Sequence, residues 1–334
     1  MIPSLVIAFV VTVMLGTLFI RRRDGAWMDQ PSERSLHQVP VPRSGGIAIC
    51  CGMAAGAWFL RSVLEGLFDP FLLVAALVLW LVSVLDDWKS LGQLPRLFCQ
   101  IAAACLGVFV GGLYFSVPGL PWLWPTVGVL VILWGINLYN FMDGMDGFAA
   151  GMAILGFSTL AILGSFRHDT AFVGLCLLVV ASNLGFLVLN FPPARIFMGD
   201  SGSTVTGFLM VTCSLLGWKR NLYPAWAPLV IFSPFWVDAT LTLLKRALRG
   251  DRIWQAHREH YYQRWVLAGF GHRRIVLAEY CLMAVCSGEV LAWQVTGAGY
   301  NGIAVLVGSV VLYISLILWS DRVLAKTPAA EKNQ

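Results

Sequence analysis

The chain has 334 residues, of which 58% are hydrophobic and only 12% are charged. Soluble domains carry roughly 25% charged residues, so this composition excludes an ordinary water-exposed globular protein. The formal net charge of +5 is concentrated in alternate loops, which is typical of an orientation signal in a membrane protein and not of a nucleic-acid-binding stripe.

The apolar residues occur in blocks of about 16 to 20, long enough to cross the ~30 Å hydrocarbon core of a bilayer as α-helices. In chain order, the predicted spans are residues 3–20, 45–63, 69–85, 97–114, 122–140, 148–165, 170–189, 202–217, 226–243, 275–295 and 301–319. The pattern therefore predicts an all-α, polytopic membrane protein with about eleven transmembrane helices and one membrane-embedded domain over residues 1–334.

The basic residues predict how these spans are oriented. If the N-terminus lies outside, 19 of the 23 Lys and Arg residues fall on the cytoplasmic side, as the positive-inside tendency favours. The predicted cytoplasmic segments are residues 21–44, 86–96, 141–147, 190–201 and 244–274 and the tail 320–334. Nearly all His, Asp and Asn residues with candidate chemical roles lie in these segments.

The third predicted span ends in Asp86 and Asp87, and Arg96 closes the loop that follows. Two adjacent carboxylates at a helix C-terminus repel each other and face the unfavourable end of the helix dipole. A divalent cation or a cationic neighbour would compensate them. A solvated acidic turn is the alternative interpretation of the pair taken alone.

The fifth span leads into Asn137, Asn140, Asp143 and Asp146, with a glycine after each aspartate. The two asparagines are three residues apart and share a helical face, and the Asp-Gly steps favour sharp turns. Hard oxygen ligands of this kind suit magnesium, which binds through one or two carboxylates plus substrate phosphates. Simple turn formation and helix capping remain the alternative.

The loop after the seventh span begins at Asn190 and ends in the run Gly-Asp-Ser-Gly-Ser at residues 199–203. Because this run directly precedes a helix, its free backbone N–H groups predict an anion-binding site. Asp200 could equally serve as the N-cap of that helix.

The largest inner loop carries His257, His260 and Arg264 at positions i, i+3 and i+7. A helix through this segment would present the three side chains on one face, suited to phosphate or nucleotide contact. Attraction of its basic residues to anionic lipid head groups is the alternative, and two histidines without a third ligand give little support for zinc.

Two further groups of residues are candidates by position. Asp238, in the ninth span, is interpreted as the only clearly intramembrane carboxylate, paired with Lys245 or Arg246. The first inner loop contributes a set for which a flexible basic loop is the alternative: Arg34, Ser35, His37 and Arg43.

In their order along the chain, these motifs resemble those of the polyprenyl-phosphate N-acetylhexosamine-1-phosphate transferases. Asp-Asp after span three, Asn-x-x-Asn-x-x-Asp-Gly-x-Asp-Gly after span five and Met-Gly-Asp-x-Gly-Ser after span seven recur in that family. The similarity extends from about Arg34 to Arg264 and includes the eleven-span layout. It implies transfer of an N-acetylhexosamine-1-phosphate from a UDP-sugar to undecaprenyl phosphate, with release of UMP. It also implies Mg²⁺, with Mn²⁺ as an alternative ion.

The resemblance also implies residue roles. Asp200 would bind magnesium with Asn140, Asp86 would act as the base on the acceptor phosphate, and Asp87 would hold the metal site or a neighbouring cation. The remaining candidates would contact substrate: Arg43, Asn137, Asp143, Asp146, Asn190, His257, His260 and Arg264. Direct attack by the acceptor and a covalent route through Asp86 both remain open.

The loop from His257 to Arg264 is similar to the O-antigen-initiating branch of the family, which uses UDP-N-acetylfucosamine or UDP-N-acetylquinovosamine. Transfer of N-acetylglucosamine-1-phosphate within the same family is the alternative. From another class, an ion-coupled transporter or flippase would place charges along a path across the bilayer. The resemblance implies a bacterial inner-membrane protein with a cytoplasmic active site; a homodimer is left open.

Overall fold

The structure, a computed structural model, describes residues 1–22, 27–31, 39–66, 70–114, 123–252, 255, 257–296 and 302–326, and it is almost entirely helical. The helices are α1 (Ile2–Arg22), α2 (Gly45–Leu64), α3 (Pro70–Lys89), α4 (Gln93–Cys105), α5 (Leu123–Met142), α6 (Phe148–Ser165), α7 (Thr170–Asn190), α8 (Asp200–Lys219), α9 (Trp226–Ile231), α10 (Ser233–Leu248), α11 (Tyr261–Trp265), α12 (His272–Thr296) and α13 (Gly302–Lys326). Two π-helical turns, Leu106–Val110 and Val266–Phe270, follow α4 and α11. The first loop adds an antiparallel ribbon of β1 (Met28–Asp29) and β2 (Val41–Pro42).

Eight of the described helices are long and apolar enough to cross a membrane: α1, α2, α4 with its π-helical turn, α5, α6, α7, α12 and α13. The prediction of an all-α, polytopic membrane protein is therefore confirmed. The number eleven and the external N-terminus stay predictions, because helix length and composition do not fix them. Arg34, Ser35 and His37 lie outside the described residues.

The predicted span 226–243 is wrong as a single helix, since the chain breaks at Phe232 between α9 and α10. Pro234 has no backbone N–H to donate to the carbonyl of Val230. The hydroxyl of Ser233 donates to that carbonyl instead, at 2.6 Å. A single proline thus ends one helix and starts the next.

Helices α6, α7 and α8 form the centre of the bundle and are buried on most of their surface. Helices that are hydrophobic on all sides occupy such central positions. By contrast, α13 exposes most of its apolar side chains, as expected where a helix faces lipid. Two carboxylates within α12, Glu279 and Glu289, show that Asp238 is not the sole acidic residue inside a predicted span.

The first loop and the loop before α8 are joined by backbone hydrogen bonds at one end of the bundle. The N–H groups of Gly45 and Gly46 donate to the carbonyls of Phe197 and Met198 at 2.9 and 2.7 Å. In return, the N–H of Phe197 donates to the carbonyl of Pro42 at 2.7 Å. These bonds fix the residues around Arg43 beside the start of α8.

Candidate active site

A cavity of about 860 Å³ lies where α3, α5 and α7 end and α4, α6 and α8 begin. Eleven of the twelve predicted site residues line it: Arg43, Asp86, Asp87, Asn137, Asn140, Asp143, Asp146, Asn190, Asp200, His257 and His260. The twelfth, Arg264, does not. The structure thus brings together side chains from five predicted inner loops, while the chemical role of each stays a prediction.

Arg96 is the cationic neighbour of the acidic pair. Its Nη1 donates to Oδ2 of Asp86 and to Oδ2 of Asp200, each at 2.6 Å. One guanidinium nitrogen therefore holds two carboxylates that are 114 residues apart in sequence. Charge-assisted bonds of this length are about twice as strong as neutral ones, so Arg96 sets the position of both carboxylates.

Asp87 faces the opposite way and caps helix α8. Its Oδ1 and Oδ2 accept from the backbone N–H groups of Asp200 and Ser201, each at 2.9 Å. Asp87, and not Asp200, therefore satisfies this helix N-terminus. The carboxylate of Asp200 is left free to reach Arg96. Arg43 supports the arrangement by donating from Nη2 to the backbone carbonyl of Asp87 at 2.7 Å.

The cap depends on Gly199. This residue has φ +71°, and a Cβ there would lie 2.5 Å from the carbonyl oxygen of Arg43 and 2.8 Å from Oδ2 of Asp87. Only glycine combines a left-handed φ with so close an approach. The Gly-Asp-Ser-Gly-Ser run thus folds as it does because a distant carboxylate lies against its first residue.

The two asparagines of α5 are held by hydrogen bonds to other helices. Asn140 Oδ1 accepts from the hydroxyl of Ser203 at 3.0 Å. Asn137 Nδ2 donates to Oε1 of Gln100 and to the carbonyl of Leu133, both at 2.9 Å. Both side chains border the cavity with fixed orientations, as polar ligands in a preorganised site must.

Asn190 ties two loops together. Its Oδ1 accepts from the N–H of Gly147 and its Nδ2 donates to the carbonyl of Ile196, each at 2.8 Å. Both bonds are buried. Although Asn190 borders the cavity, these bonds show that its amide supports the loops on which Asp146 and Asp200 lie.

Asp146 links the cavity to α12. Its Oδ2 accepts from the N–H of Ala194 at 3.0 Å, and its Oδ1 lies 3.3 Å from Nδ1 of His272. Our sequence analysis did not single out His272, nor Gln100 on α4; both line the cavity. Their signal in the sequence is weak: a histidine at the end of a basic loop and a glutamine inside an apolar span.

The segment from His257 to Arg264, which we call the histidine loop, differs from its prediction because α11 begins only at Tyr261. His257 and His260 therefore precede the helix and do not share a helical face with Arg264. Their rings are nevertheless close, with centroids 4.9 Å apart. Burial and the neighbouring His260 lower the pKa of His257 to about 4, so this imidazole is neutral at pH 7.

Asp238 holds this loop in place. Its carboxylate accepts from the N–H groups of Tyr261 and Tyr262 at 2.9 and 3.2 Å, and its Oδ1 lies 3.4 Å from Nδ1 of His260. The predicted pairing of Asp238 with Lys245 or Arg246 is wrong. The reason is that the unpaired N-terminus of α11 attracts the carboxylate.

Arg264 is the one predicted site residue that the structure places away from the cavity. Its Nη1 donates to Oδ1 of Asp321, on α13, at 2.9 Å. The prediction that Arg264 joins the two histidines is wrong because the helical periodicity does not extend back to His257.

The cavity is rich in negative charge: six aspartates line it, with two arginines, among the described residues. Burial, together with the charges of Asp200 and Asp87, raises the pKa of Asp143 well above its ordinary range. Burial, the contact with Asp86 and the charge of Asp87 raise the pKa of Asp200 as well. Carboxylates that oppose one another's ionisation are stabilised by an added cation.

The oxygen atoms that border the cavity are a donor set that fits magnesium, and Mn²⁺ accepts ligands of the same kind. No group of three or more His, Cys, Asp and Glu side chains within the described residues is arranged to hold a metal ion. Magnesium needs no such group, because it keeps several waters and typically binds one or two carboxylates plus substrate phosphates. Asp200 and Asn140, which border the cavity from α8 and α5, supply oxygen atoms of that kind.

A family model described as glycosyl transferase family 4 matches residues 70–217. This range includes the acidic pair, the asparagine motif and the loop before α8. It excludes the histidine loop and α13.

Three curated relatives match over most of their length. A probable undecaprenyl-phosphate N-acetylglucosaminyl 1-phosphate transferase of Bacillus subtilis is 34% identical, over 83% of this chain and 82% of the relative. A decaprenyl-phosphate N-acetylglucosaminephosphotransferase of Mycobacterium leprae is 30% identical, over 85% and 80%. A phospho-N-acetylmuramoyl-pentapeptide-transferase of Desulforudis audaxviator is 32% identical, over 83% and 94%.

Proposed function

This chain belongs to glycosyl transferase family 4, the polyprenyl-phosphate N-acetylhexosamine-1-phosphate transferases, and from this premise we propose that its substrates are a UDP-N-acetyl sugar and undecaprenyl phosphate. The general reaction of the family is transfer of a hexosamine-1-phosphate from a nucleotide sugar to a polyprenyl phosphate, and the chain is a membrane-embedded enzyme of this type. The observation that carries the finer proposal is the single cavity lined by eleven candidate residues.

In the proposed reaction, an oxygen of the lipid phosphate forms a bond to the sugar-bearing phosphorus of the UDP-sugar. The bond from that phosphorus to the bridging oxygen breaks, and UMP leaves. Phosphoryl transfer of this kind needs positioning and charge stabilisation more than covalent catalysis. Asp86, fixed by Arg96 at 2.6 Å, would orient the acceptor phosphate and take its proton. Direct attack requires no covalent intermediate on Asp86.

Asp200 and Asn140 would hold the proposed magnesium ion, which supplies charge neutralisation at the phosphates. Asp87 would keep the start of α8 in place, since its two oxygen atoms accept backbone N–H groups. Asp143 and Asp146 would lie on the nucleotide side. His257 and His260 would donate hydrogen bonds to the diphosphate or the sugar.

Two observations bear on the sugar. The loop sequence from His257 to Arg264 favours UDP-N-acetylfucosamine or UDP-N-acetylquinovosamine and a role in O-antigen initiation. The names of the Bacillus and Mycobacterium relatives favour UDP-N-acetylglucosamine, which we therefore keep as the second candidate. The proposed location is the bacterial inner membrane, with the cavity open to the cytoplasm, where UDP-sugars are made.

The test is an assay of UMP release by purified protein, with undecaprenyl phosphate, Mg²⁺ and each of the three UDP-sugars in turn. We expect release with at least one sugar, loss of release with EDTA, and recovery with excess Mg²⁺. Asp200→Asn should reduce release by at least about 100-fold, since it removes a charge that acts in the transition state. The sugar with the highest kcat/KM identifies the donor.

Asp169→Asn is the matched control. Asp169 also precedes a helix, but it lies at the opposite end of the bundle, where its Oδ1 accepts from the N–H of Phe172. Asparagine retains that oxygen, and the ion pair that it loses, between Oδ2 of Asp169 and Nε of Arg220, is also remote from the cavity, so this variant should keep wild-type activity. Equal UMP release by wild type and Asp200→Asn would contradict the site assignment, and no release with any UDP-sugar would contradict the proposed donors.

A further inference from the structure

The end of α13 is attached to the histidine loop through one carboxylate, Asp321. Its Oδ1 accepts from Nη1 of Arg264 at 2.9 Å. Its Oδ2 accepts from the hydroxyl of Tyr261 at 3.0 Å and from Nζ of Lys245 at 3.1 Å. Three donors, one on α10 and two on α11, thus converge on a single side chain of α13.

Tyr261 lies at the centre of this cluster. Nζ of Lys245 and the guanidinium carbon of Arg264 lie 5.0 and 4.9 Å from the centre of its ring, within cation–π range. Lys245 also donates to the Tyr261 hydroxyl at 2.5 Å. We call Lys245, Tyr261, Arg264 and Asp321 the α13 clamp. Loss of Asp321 would leave two cations around one phenol without their counter-charge.

Contacts of Trp265, at the end of α11, add to this attachment. The indole Nε1 of Trp265 donates to the hydroxyl of Ser320 at 2.9 Å, and the rings of Trp265 and Trp319 stack with centroids 5.1 Å apart. Elsewhere α13 is mostly exposed. Its contact with α11 is therefore a specific attachment at one end of the helix.

The clamp reaches the cavity through the backbone. Tyr261 follows directly after His260, which lines the cavity, and its N–H donates to Asp238 at 2.9 Å. Oδ1 of Asp238 also lies 3.4 Å from the imidazole of His260. The side chain of Tyr261 is thus held by α13, and its backbone is held by α10. The position of His260 is therefore set by its neighbour Tyr261, which both helices hold.

The other attachments of this loop come from α10 and from two helices that border the cavity, α5 and α6. Glu259 accepts charge-assisted hydrogen bonds from Arg246 and Arg249, and Asp238 lies on the same helix. The Tyr262 hydroxyl donates to the carbonyl of Phe141, on α5, at 3.4 Å, and the Tyr262 ring packs against Phe148, on α6, with centroids 4.9 Å apart. The α13 clamp adds a support from a further helix, and each added support restricts how far the loop can pivot.

We propose that Asp321 is a positioning residue for the transfer reaction, which holds the histidine loop against the cavity through Tyr261 and Arg264. Arg264, which the sequence suggested for phosphate contact, thereby acts on the substrate through the loop. The kinetic part of this inference rests on the proposed transferase activity, and the structural part does not.

The experiment compares wild type, Asp321→Asn and Asp321→Glu as purified full-length protein. Hydrogen–deuterium exchange is measured for the backbone of residues 257–265. The rate of UMP release is measured while the concentration of each substrate is varied in turn. We expect faster exchange in Asp321→Asn and a lower kcat/KM for the UDP-sugar, by about tenfold, since a shift of ~1 Å in a reactive group can cost 100-fold. The KM for undecaprenyl phosphate should stay within about twofold. Asp321→Glu, which keeps the charge, should restore most of both losses.

Arg322→Gln is the matched control, because Arg322 is exposed on the same helical turn and is not part of the clamp. It should leave exchange and kinetics unchanged. Unchanged exchange in Asp321→Asn, or an equal effect of Arg322→Gln, would overturn the proposal. If Asp321→Asn does not yield folded protein, Tyr261→Phe removes one clamp hydroxyl and decides the question by the same exchange measurement. A wild type that releases no UMP contradicts the proposed function, while the exchange result still decides the clamp.

Discussion

Replacement of Arg96 by glutamine tests how the negative charges of Asp86 and Asp200 are compensated. In the structure, one guanidinium nitrogen donates to both Asp86 and Asp200 at 2.6 Å. Burial and the other carboxylates raise the pKa of Asp200, and the positive charge of Arg96 acts against that rise. Without this charge, the pKa of Asp200 rises further, and a larger fraction is protonated at any given pH. A protonated Asp200 is a poor magnesium ligand, so activity should be lost at a higher pH than in wild type.

The size of the pKa shift follows from the contact between Arg96 and Asp200. A hydrogen bond to a charged group contributes about 1.5–3 kcal/mol. Because 35% of the Arg96 side chain is exposed, solvent screening reduces this value by about half, to about 0.8–1.5 kcal/mol. One pKa unit corresponds to 1.36 kcal/mol. The acid limb of the activity profile should therefore move to higher pH by about one unit, with about tenfold lower activity on that limb.

The assay is initial-rate UMP release between pH 5.5 and 9, at a fixed Mg²⁺ concentration below saturation and at saturating concentrations of both substrates. Arg96→Lys is the control, because it keeps the positive charge although it loses the planar guanidinium geometry. It should lose part of the rate without a comparable shift of the acid limb. If Arg96→Gln and wild type had the same acid limb, Arg96 would not tune Asp200, and our account of the charge balance would be refuted.

Two further substitutions test the loops that carry the carboxylates. Asn190→Ala removes buried hydrogen bonds to Gly147 and Ile196 and leaves their partners unsatisfied. This should destabilise the protein by about 2–4 kcal/mol, measured as a lower thermal unfolding midpoint in detergent. Asn190→Asp retains the acceptor for Gly147 but sets a carboxylate oxygen against the carbonyl of Ile196, so it should also destabilise the protein. Gly199→Ala places a Cβ against Arg43 and Asp87 at a φ of +71°. It should abolish UMP release even where folded protein is recovered. Gly250→Ala is the control, because Gly250 has a similar φ of +80° but open space around it; it carries the same backbone strain and should retain the full rate.

Local sequence patterns predicted the helices well where one apolar run has clear ends. Helix α6 coincides with the predicted span 148–165, because a glycine turn precedes it and a polar turn follows it. The site residues were predicted through the order of their motifs, and the cavity that gathers eleven of them follows from that order. Spacing alone left each motif with an ordinary structural alternative.

The errors arise where long-range contacts override local periodicity. The spacing of His257, His260 and Arg264 suggested one helix face, but Asp238 caps the chain at Tyr261 and delays the helix. Arg264 then turns to Asp321, 57 residues further along. No pattern within the loop contains either carboxylate. The bridge from Arg96 to Asp200 was likewise beyond reach, since 104 residues separate the partners.

The two glutamates of α12 separate the transferase from the transporter hypothesis. An ion-coupled transporter needs ionisable groups along a path across the membrane, and Glu279 and Glu289 are acidic residues inside such a span. Neither lines the cavity, and Oε2 of Glu289 accepts from the hydroxyl of Ser309 at 2.9 Å. The doubly substituted protein, Glu279→Gln with Glu289→Gln, keeps the size and shape of both side chains and retains an acceptor for the hydroxyl of Ser309. We expect UMP release within about twofold of wild type, since removing charges remote from the reacting groups has little effect on transition-state stabilisation. A loss of activity as large as that of Asp200→Asn, in folded protein, would mean that the reaction depends on charge inside the membrane, and the transferase site could not then be confined to the cavity.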